Sequence, residues 1–257
     1  TISFLFLCIV KRASKKVKMN TARTIQQNTE KSQDCLINDN LDFYKWFKNI
    51  APKLAHREIS FKKIFKYLDG LPTPIIILET GCLRKAENFI GDGQSTLLFD
   101  KYTQFRNKNS KVYTVDINPK CTEICKKTVS DKVEITTEDS VKYINNFSKN
   151  FLKSKNQLSL LYLDSYDLDY RYPFPSAAHH LKELTASIRI LNEKTLVVVD
   201  DAPTNMNVIQ GNNENEWKKI TVPMVGGKGF LVNEYATQIG AKLLFVHYHA
   251  AWNGFNR

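Results

Sequence analysis

Two short apolar segments that end in aspartate decide the fold: LSLLYLD at Leu158–Asp164 and TLVVVDD at Thr195–Asp201. Both are almost continuously apolar, which is typical of strands that are covered on both faces of a sheet. Segments with helical spacing of apolar residues stand between such runs. Strands that alternate with helices predict an α/β fold with a doubly wound, mostly parallel sheet and helices on both faces.

The same alternation extends over most of the chain. The predicted strands are Ile75–Leu78, Val112–Val115, Val133–Thr136, Leu158–Leu163, Leu196–Val199 and Leu243–His249. The predicted helices are Asp42–Ile50, a helix capped by Ser60 and ended by Gly70, Ser95–Arg106, a helix opened by Asn118 and Pro119, one from Asp139 through Phe147, one capped by Ser176, and Phe230–Gln238. No final antiparallel strand is evident before Arg257, so we expect that strand to be short or the chain to be cut.

Acidic residues end or follow each of the first five predicted strands. They are Glu79, Asp116, Asp139, Asp164 and the pair Asp200 and Asp201. In open α/β sheets, ligands bind beyond the carboxyl ends of the strands. Helix capping is an alternative explanation for Asp139 and Asp201. It does not explain Asp116, which stands two residues before a separate cap at Asn118, and the set as a whole indicates a ligand site.

The stretch from Ile75 to Ser140 resembles the class I S-adenosylmethionine-dependent methyltransferases. The resemblance assigns the following residues to the cofactor: Glu79, Gly81, Gly93, Ser95, Asp116, Asp139 and Ser140. Gly81 would let the backbone pass close under the cofactor, and the carboxylate of Asp116 would accept hydrogen bonds from the ribose hydroxyls. The first loop departs from the family pattern, because a long segment replaces the compact glycine-rich turn.

The second half resembles a narrower group, the metal-dependent O-methyltransferases of the macrocin and catechol types. Asp164, Asp200 and Asp201 match the places of the metal ligands in that group. The resemblance implies Mg²⁺ or another divalent cation, which carboxylate oxygens suit. It also implies a hydroxyl acceptor on a sugar, a polyketide-like metabolite or a phenol, with the metal lowering the pKa of that hydroxyl.

The sequence does not decide which residue acts as the general base. In the macrocin type an acid often follows the first metal aspartate by two residues, but Tyr166 stands there. The candidate catalytic residues are Asp164, Asp167, His179 and His180. The aromatic residues between Tyr162 and Phe174 suit the wall of an acceptor pocket, and Trp217 with the loop 203–229 is a candidate lid.

Two other functions remain open. The formal net charge is +11, and residues 1–23 carry six basic and no acidic side chains. A methyltransferase that acts on RNA or another polyanion without metal would use such a basic segment. A non-catalytic Rossmann-like binding module is the other alternative, supported by the long first loop and opposed by the retained acidic residues.

The expected organisation has three parts. Residues 1–40 form a flexible leader, of which residues 1–18 are expected to be a truncated anchor or sequence upstream of the native start. Helices follow in residues 41–70, and residues 71–257 form the methyltransferase domain. The apolar run near the start is too short to span a bilayer. The five cysteines form no zinc-like pair of motifs, which favours a reducing, cytoplasmic location. The oligomeric state is left open.

Overall fold

The computed structural model describes residues 41–92, 94–106, 108–210 and 218–255. Its strands are β1 Ile76–Thr80, β2 Lys111–Asp116, β3 Val133–Thr137, β4 Leu160–Leu163, β5 Leu196–Val199, β6 Asn205–Gln210, β7 Lys218–Pro223, β8 Lys242–Val246 and β9 Ala250–Asn253. Within these ranges, seven strands form one sheet in the order β3-β2-β1-β4-β5-β9-β8. The expected leader (residues 1–40), Gly93 and Trp217 lie outside the described residues.

Strands β1 to β5 run parallel to one another. β9 is antiparallel to both β5 and β8. The predicted doubly wound, mostly parallel sheet is therefore confirmed. The strand order reverses between β1 and β4, which pair with Thr80 opposite Leu163. This reversal is the topological switch point, where such sheets open a crevice for ligands at their carboxyl edge.

The final antiparallel strand is present. It is short, which confirms the first of the two alternatives that the sequence left open. It spans the four residues of β9 and lies inside the sheet, between β5 and β8. The predicted strand Leu243–His249 is wrong at its end, because β8 stops at Val246 and a tight turn follows, in which His247 N–H donates to the carbonyl of His249 at 2.9 Å. No glycine, proline or asparagine marks that turn in the sequence, so the pattern did not reveal it.

Helices cover both faces of the sheet, as predicted. They are α1 Leu41–Ile50, α2 Arg57–Asp69, α3 Ser95–Arg106, α4 Pro119–Thr128, α5 Ser140–Phe151, α6 Phe174–Ser187 and α7 Phe230–Ile239. One buried apolar cluster joins α1, α2 and α3 to the sheet through residues such as Phe43, Phe61 and Phe99. Another joins α5, α6 and α7 to the sheet through residues such as Ile144 and Leu184.

Two of the predicted helix caps are confirmed and two are wrong. The side chains of Asn118 and Asp139 accept the N–H groups of Lys120 and Lys142 at the starts of α4 and α5. In contrast, α2 and α6 begin upstream of Ser60 and Ser176. Ser176 lies inside α6 and donates instead to the carbonyl of Tyr166 at 3.1 Å. A serine can bond the local backbone inside or outside a helix, so its position alone did not fix the helix start.

The segment after β5 contains more structure than the predicted loop. β6 and β7 form an antiparallel hairpin in which Asn205 pairs with Pro223. A single turn of 3-10 helix, Gly227–Gly229, leads from this segment into α7. None of the described helices is both long and apolar enough to cross a bilayer.

Candidate functional site

The carboxyl edge of β4 and β5 brings together the three aspartates that were predicted as metal ligands. Asp164 follows β4, and Asp200 and Asp201 follow β5. One carboxylate oxygen of each lies within 4.8 Å of the others. Asp201 adopts a φ of +44°, a left-handed conformation that is uncommon for a residue with a side chain. The sharp bend allows both consecutive aspartates to face the same cluster.

The ammonium group of Lys228 lies inside this aspartate cluster. Its Nζ contacts Asp164 Oδ1 directly and lies 3.1 Å from Asp201 Oδ2. Only 2% of Lys228 is exposed. Burial lowers the pKa of Lys228, but the attraction of the three aspartates outweighs burial and raises it. The side chain therefore stays charged and neutralises part of the cluster.

A glycine-rich turn holds Lys228 against β5. Gly227 has a φ of +55°, and a Cβ there would lie 2.0 Å from the carbonyl oxygen of Asp201. A Cβ on Gly229 would lie 2.7 Å from the Cβ of Ala202. The backbone N–H of Lys228 donates to the carbonyl of Asp201 at 3.1 Å. Only residues without side chains allow this close approach.

Arg57, the first residue of α2, supplies a second buried cation. Its Nε lies 3.7 Å from Asp200 Oδ2 and its Nη2 lies 3.9 Å from Asp201 Oδ1. Nη2 also donates to the hydroxyl of Tyr248 at 3.0 Å, and the guanidinium stacks 4.2 Å from the centre of that ring. The hydroxyl of Tyr248 in turn donates to Asp201. The N-terminal helices therefore contribute directly to this edge of the sheet.

His249 completes the environment of Asp200. Its Nε2 lies 3.1 Å from Asp200 Oδ1 and 2.8 Å from the hydroxyl oxygen of Tyr162. Burial, together with the charge of Arg57, lowers the pKa of His249 to about 3. The ring is therefore neutral at physiological pH and acts as a hydrogen-bonding partner, not as a third cation.

The residues as arranged do not fit a divalent cation. Three carboxylates at this spacing offer the oxygen ligands that Mg²⁺ prefers. However, Asp164 and Asp201 already bond the ammonium of Lys228, and Arg57 adds a second positive charge beside Asp200. A metal ion would have to displace the ammonium group of Lys228, whose main chain is held close to the cluster by the glycine-rich turn. For this reason we derive no chemistry through a metal at this site.

On the other side of the switch point, Gly81 and Asp116 lie next to each other. Gly81 has a φ of +79°, and a Cβ there would lie 2.4 Å from the carbonyl oxygen of Asp164. The carboxylate of Asp116 accepts the N–H of Cys82 at 3.2 Å and the N–H of Asn118 at 2.8 Å. The carboxylate predicted to bind ribose therefore lies directly beside the glycine turn predicted to pass under the cofactor.

Glu79 is placed differently from its neighbours at this edge. Its side chain is fully buried, and Oε2 accepts the hydroxyls of Thr96 and Thr114, each at 2.7 Å. Burial raises the pKa of Glu79 to about 7, although hydroxyl groups from Ser95, Thr96 and Thr114 oppose the shift. Oε1 has no hydrogen-bond partner. Glu79 therefore ties β1 to β2 and α3 and is not open to solvent.

The remaining cofactor candidates lie at the starts of two helices. Asp139 is exposed and caps α5. Ser140 is buried, and its hydroxyl lies 3.0 Å from His179 Nε2. Ser95 is buried as the first residue of α3. Asp139, Ser140 and Ser95 stay predictions as cofactor contacts.

Of the candidate catalytic residues, Asp164 directly follows β4, and His179 on α6 lies beside Ser140 at the start of α5. The side chain of His179 lies 3.4 Å from Glu183 Oε1. His180 is fully buried, its Nδ1 lies 2.7 Å from the carbonyl of Ser176, and burial lowers its pKa to about 4. The side chain of Asp167 is 83% exposed and pairs with Arg84 at 2.9 Å. His180 is therefore buried and bonded to the backbone of its own helix, and Asp167 is paired with Arg84 at the surface. Neither side chain forms a hydrogen bond or ion pair with the aspartate cluster in the part of the chain that the structure describes.

Sequence patterns did not identify Lys228, Arg57, Tyr248, His249 or Glu183. Glu183 on α6 is fully buried and accepts the hydroxyls of Ser165 at 2.5 Å and Thr80 at 3.2 Å. Burial raises its pKa, but hydrogen bonds and His180 outweigh this and lower it. One of these residues had a local signal in the sequence. Lys228 stands between glycines in Gly226-Gly227-Lys228-Gly229, and glycines on both sides of a residue allow its backbone to approach a neighbouring segment closely.

A groove of about 290 Å³ lies at the opposite, amino edge of the sheet, lined by residues such as Pro72, Pro74 and Lys155. It is remote from the acidic residues. At the carboxyl edge, the loop after β1 is linked to the loop after β4 by the pair of Arg84 and Asp167, and Arg84 also lies 3.4 Å from Asp92. These contacts link the two loops at the surface of the protein.

No protein-family model matches the chain, and no curated protein matches it. Among solved structures, it is similar to the DhpI–SAH complex (12% identity, 86% of this chain and 98% of that chain, TM-score 0.44). It is also similar to DesVI from Streptomyces venezuelae (9% identity, 86% and 99%, TM-score 0.45). A third is a candidate O-methyltransferase from Klebsiella pneumoniae (12% identity, 87% and 83%, TM-score 0.41). Likeness at this level assigns no function to this chain. The described sheet itself, with its strand order and its single antiparallel strand, is the predicted doubly wound, mostly parallel α/β sheet.

Proposed function

We propose that this protein is an S-adenosylmethionine-dependent methyltransferase that methylates a hydroxyl group of a small molecule or sugar. The observation that carries the proposal is the position of Asp116, whose carboxylate contacts the backbone directly after Gly81. An acid and a glycine turn at the switch point suit a ligand that carries a vicinal diol. The resemblance described above connects that pair to a ribose.

The glycine turn is also fixed by its packing against the loop that follows β4. A Cβ at Gly81 would meet the backbone of Asp164, so the turn can adopt this path only without a side chain. The carboxylate of Asp116 accepts two backbone N–H groups in this structure. Both are neutral donors, and a carboxylate has acceptor capacity left for ribose hydroxyls to join them.

The electrostatics of the aspartate cluster suit a cationic cofactor. Three carboxylates face two buried cations, Lys228 and Arg57, which leaves one formal negative charge. When bound, S-adenosylmethionine supplies an electrophilic methyl group on a positively charged sulfur. A residual negative charge at the edge of β4 and β5 attracts that positive charge, and more strongly so in a site from which water is excluded.

Asp164 is the carboxylate of the cluster best suited to take the proton of the acceptor hydroxyl. Burial raises its pKa, against the opposing charge of Lys228, and a carboxylate of higher pKa is a stronger base. About 20% of its side chain is exposed, compared with 3% for Asp200. In the proposed reaction the acceptor oxygen gains the methyl group, Asp164 gains the hydroxyl proton, and S-adenosylhomocysteine leaves.

Calorimetric titration of S-adenosylmethionine into the whole protein tests the proposal. We expect micromolar binding that Asp116→Ala weakens at least about tenfold, because charge-assisted hydrogen bonds are lost. The matched control is Asp131→Ala, an exposed aspartate before β3 at the opposite edge of the sheet. Equal affinity in all three proteins, or no binding at all, contradicts the proposal, and the latter favours a non-catalytic binding module.

The net charge of +11 favours a second candidate, a methyltransferase with RNA or another polyanion as acceptor. The two candidates share the cofactor and differ in salt dependence. A polyanion acceptor would be bound with an affinity that falls steeply as salt is raised, because bound counterions are released. Methylation of small hydroxyl acceptors with little dependence on salt would favour the first candidate.

A further inference from the structure

We propose that Lys228 is a built-in cation that takes the place of a divalent metal ion in the aspartate cluster. The consequence for the reaction rests on the proposed function: methyl transfer at this site needs no metal. Lys228 is then a positioning residue, because it orients the carboxylate of Asp164. The proposal contradicts the metal site that the sequence predicted from Asp164, Asp200 and Asp201.

The first argument is the position of the ammonium group. Lys228 Nζ contacts Asp164 on one strand end and Asp201 on the next, and so bridges β4 and β5 as a shared metal ion would. The lysine is almost completely buried. An ammonium has three donor hydrogens and no acceptor, so it satisfies carboxylate oxygens from inside the cluster in the manner of a cation.

The second argument is that the turn around Lys228 leaves its backbone no room to withdraw. The N–H of Gly226 donates to the carbonyl of Pro203 at 2.8 Å, and that of Lys228 donates to the carbonyl of Asp201. Cβ atoms at Gly227 and Gly229 would both clash with the segment that follows β5. The position of Lys228 is thus set by its main chain and not only by its flexible side chain.

The third argument is that the other cluster oxygens are already engaged. Asp200 Oδ1 accepts the N–H of Asp201 at 2.8 Å and lies 3.1 Å from His249 Nε2. Asp200 Oδ2 lies beside Arg57, and Asp201 Oδ1 accepts the hydroxyl of Tyr248. Mg²⁺ requires near-octahedral coordination by oxygen. A second cation placed here would also be repelled by Lys228 and Arg57 at short range.

Titration of Mn²⁺ into the whole protein, followed by electron paramagnetic resonance, tests the proposal without any acceptor. We expect no tight binding to the wild-type protein, and a melting temperature that changes by less than about 1 °C in ~5 mM Mg²⁺ or after chelation. Lys228→Ala removes the ammonium and opens space beside three carboxylates. We expect that variant to bind one Mn²⁺ per chain and to gain about 5 °C or more in the presence of excess metal.

Two further variants make the result specific. Lys45→Ala, which removes an exposed ammonium paired with Asp42, should gain no Mn²⁺ binding. Asp164→Asn, added to Lys228→Ala, should weaken the gained Mn²⁺ binding at least about tenfold, because the charged oxygen that faced the ammonium group is lost. The affinity of the wild-type protein for S-adenosylmethionine should stay within about twofold after chelation.

Tight binding of one Mn²⁺ to the wild-type protein would overturn the proposal, as would a folded Lys228→Ala variant that binds no Mn²⁺. If Lys228→Ala does not fold, the wild-type titration decides by itself, since a built-in cation and a tightly bound metal exclude each other. Absence of S-adenosylmethionine binding would instead contradict the proposed function. The Mn²⁺ titration would still show whether Lys228 holds the cation position.

Discussion

The two halves of the carboxyl edge satisfy their acidic residues by different means. In the half formed by β1, β2 and β3, the carboxylates of Glu79, Asp116 and Asp139 accept hydroxyl or backbone N–H groups, all of them neutral donors. In the half formed by β4 and β5, Asp164, Asp200 and Asp201 face the cations of Lys228 and Arg57.

The difference decides which carboxylates can accept a hydrogen bond from a ligand and which stay bound to their cations. A neutral donor adds about 1 kcal/mol to the stability of a carboxylate contact, so a ligand hydroxyl can replace it. Removing one partner of a buried ion pair leaves an uncompensated charge and costs about 3–5 kcal/mol. Asp116 and Asp139 are therefore suited to contact a ligand that comes and goes, whereas the ion pairs of the second half form a permanent electrostatic element beside them.

Lys228→Met is expected to cause the largest loss of stability and tests whether the second half depends on its cations. The variant keeps much of the packing volume but leaves the cluster with Arg57 alone. We expect the free energy of unfolding, measured by urea denaturation, to fall by about 3–5 kcal/mol. Lys45→Met removes an exposed ammonium that lies 3.1 Å from Asp42 and should leave stability unchanged within error. Equal effects of the two variants would break the comparison.

Gly81→Ala tests the boundary between the two halves. The substitution forces a side chain into a left-handed conformation and against the carbonyl of Asp164. We expect the free energy of unfolding to fall by about 3 kcal/mol, since strain and backbone displacement add. The control is Gly70→Ala at the end of α2, where φ is −77° and the nearest atom to the new Cβ is 3.4 Å away. A loss as large at Gly70 would contradict the assigned role of Gly81.

Glu79→Gln tests the half that lacks cations, through its pH dependence. Burial raises the pKa of Glu79 from 4.5 to about 7. Between pH 4.5 and pH 7, Glu79 is therefore protonated in the folded protein and ionised in the unfolded chain. The stability of the wild-type protein relative to the variant should therefore fall as pH rises from 4.5 to 7. A full shift corresponds to about 3 kcal/mol, and we expect about 2 kcal/mol because buried sites relax.

Urea denaturation of both proteins at pH 5 and pH 8 measures this difference. The variant should be the more stable of the two at pH 8 and should match the wild-type protein more closely at pH 5. Glu193→Gln, an exposed substitution before β5, is the control and should show no such dependence. A wild-type advantage that grows with pH would mean that Glu79 is stabilised as a carboxylate.

The smallest effect is expected from Asp167→Asn. Its partner Arg84 lies in the loop after β1, so the pair joins the loops of the two halves, but both side chains are exposed. Solvent screening limits the loss to less than about 0.5 kcal/mol. Denaturation at low and high salt measures it, and Arg84→Gln, which also removes the contact with Asp92, should lose more than Asp167→Asn. A loss of 2 kcal/mol or more would show that the loops are held together by this contact.

The fold was predictable because its signals are local. Apolar runs such as Leu196–Val199 occur at the same residues in the prediction and in β5, and the caps Asn118 and Asp139 bond residues two and three positions away. The predicted caps Ser60 and Ser176 were wrong because serine bonds many backbone groups. The turn between β8 and β9 was missed because nothing in its composition differs from a strand.

The sequence by itself determined that acidic residues stand at the strand ends and that parallel strands bring those ends to one edge. It did so because short-range patterns of apolar residues locate the strands, and strands that alternate with helices run parallel. Only the tertiary structure decided what faces those acids. Arg57 is 143 residues away from Asp200 along the chain, and Lys228 is 64 residues away from Asp164. No local pattern relates such residues, so the charge balance that distinguishes a built-in cation from a metal site emerges only when the helices pack on the sheet.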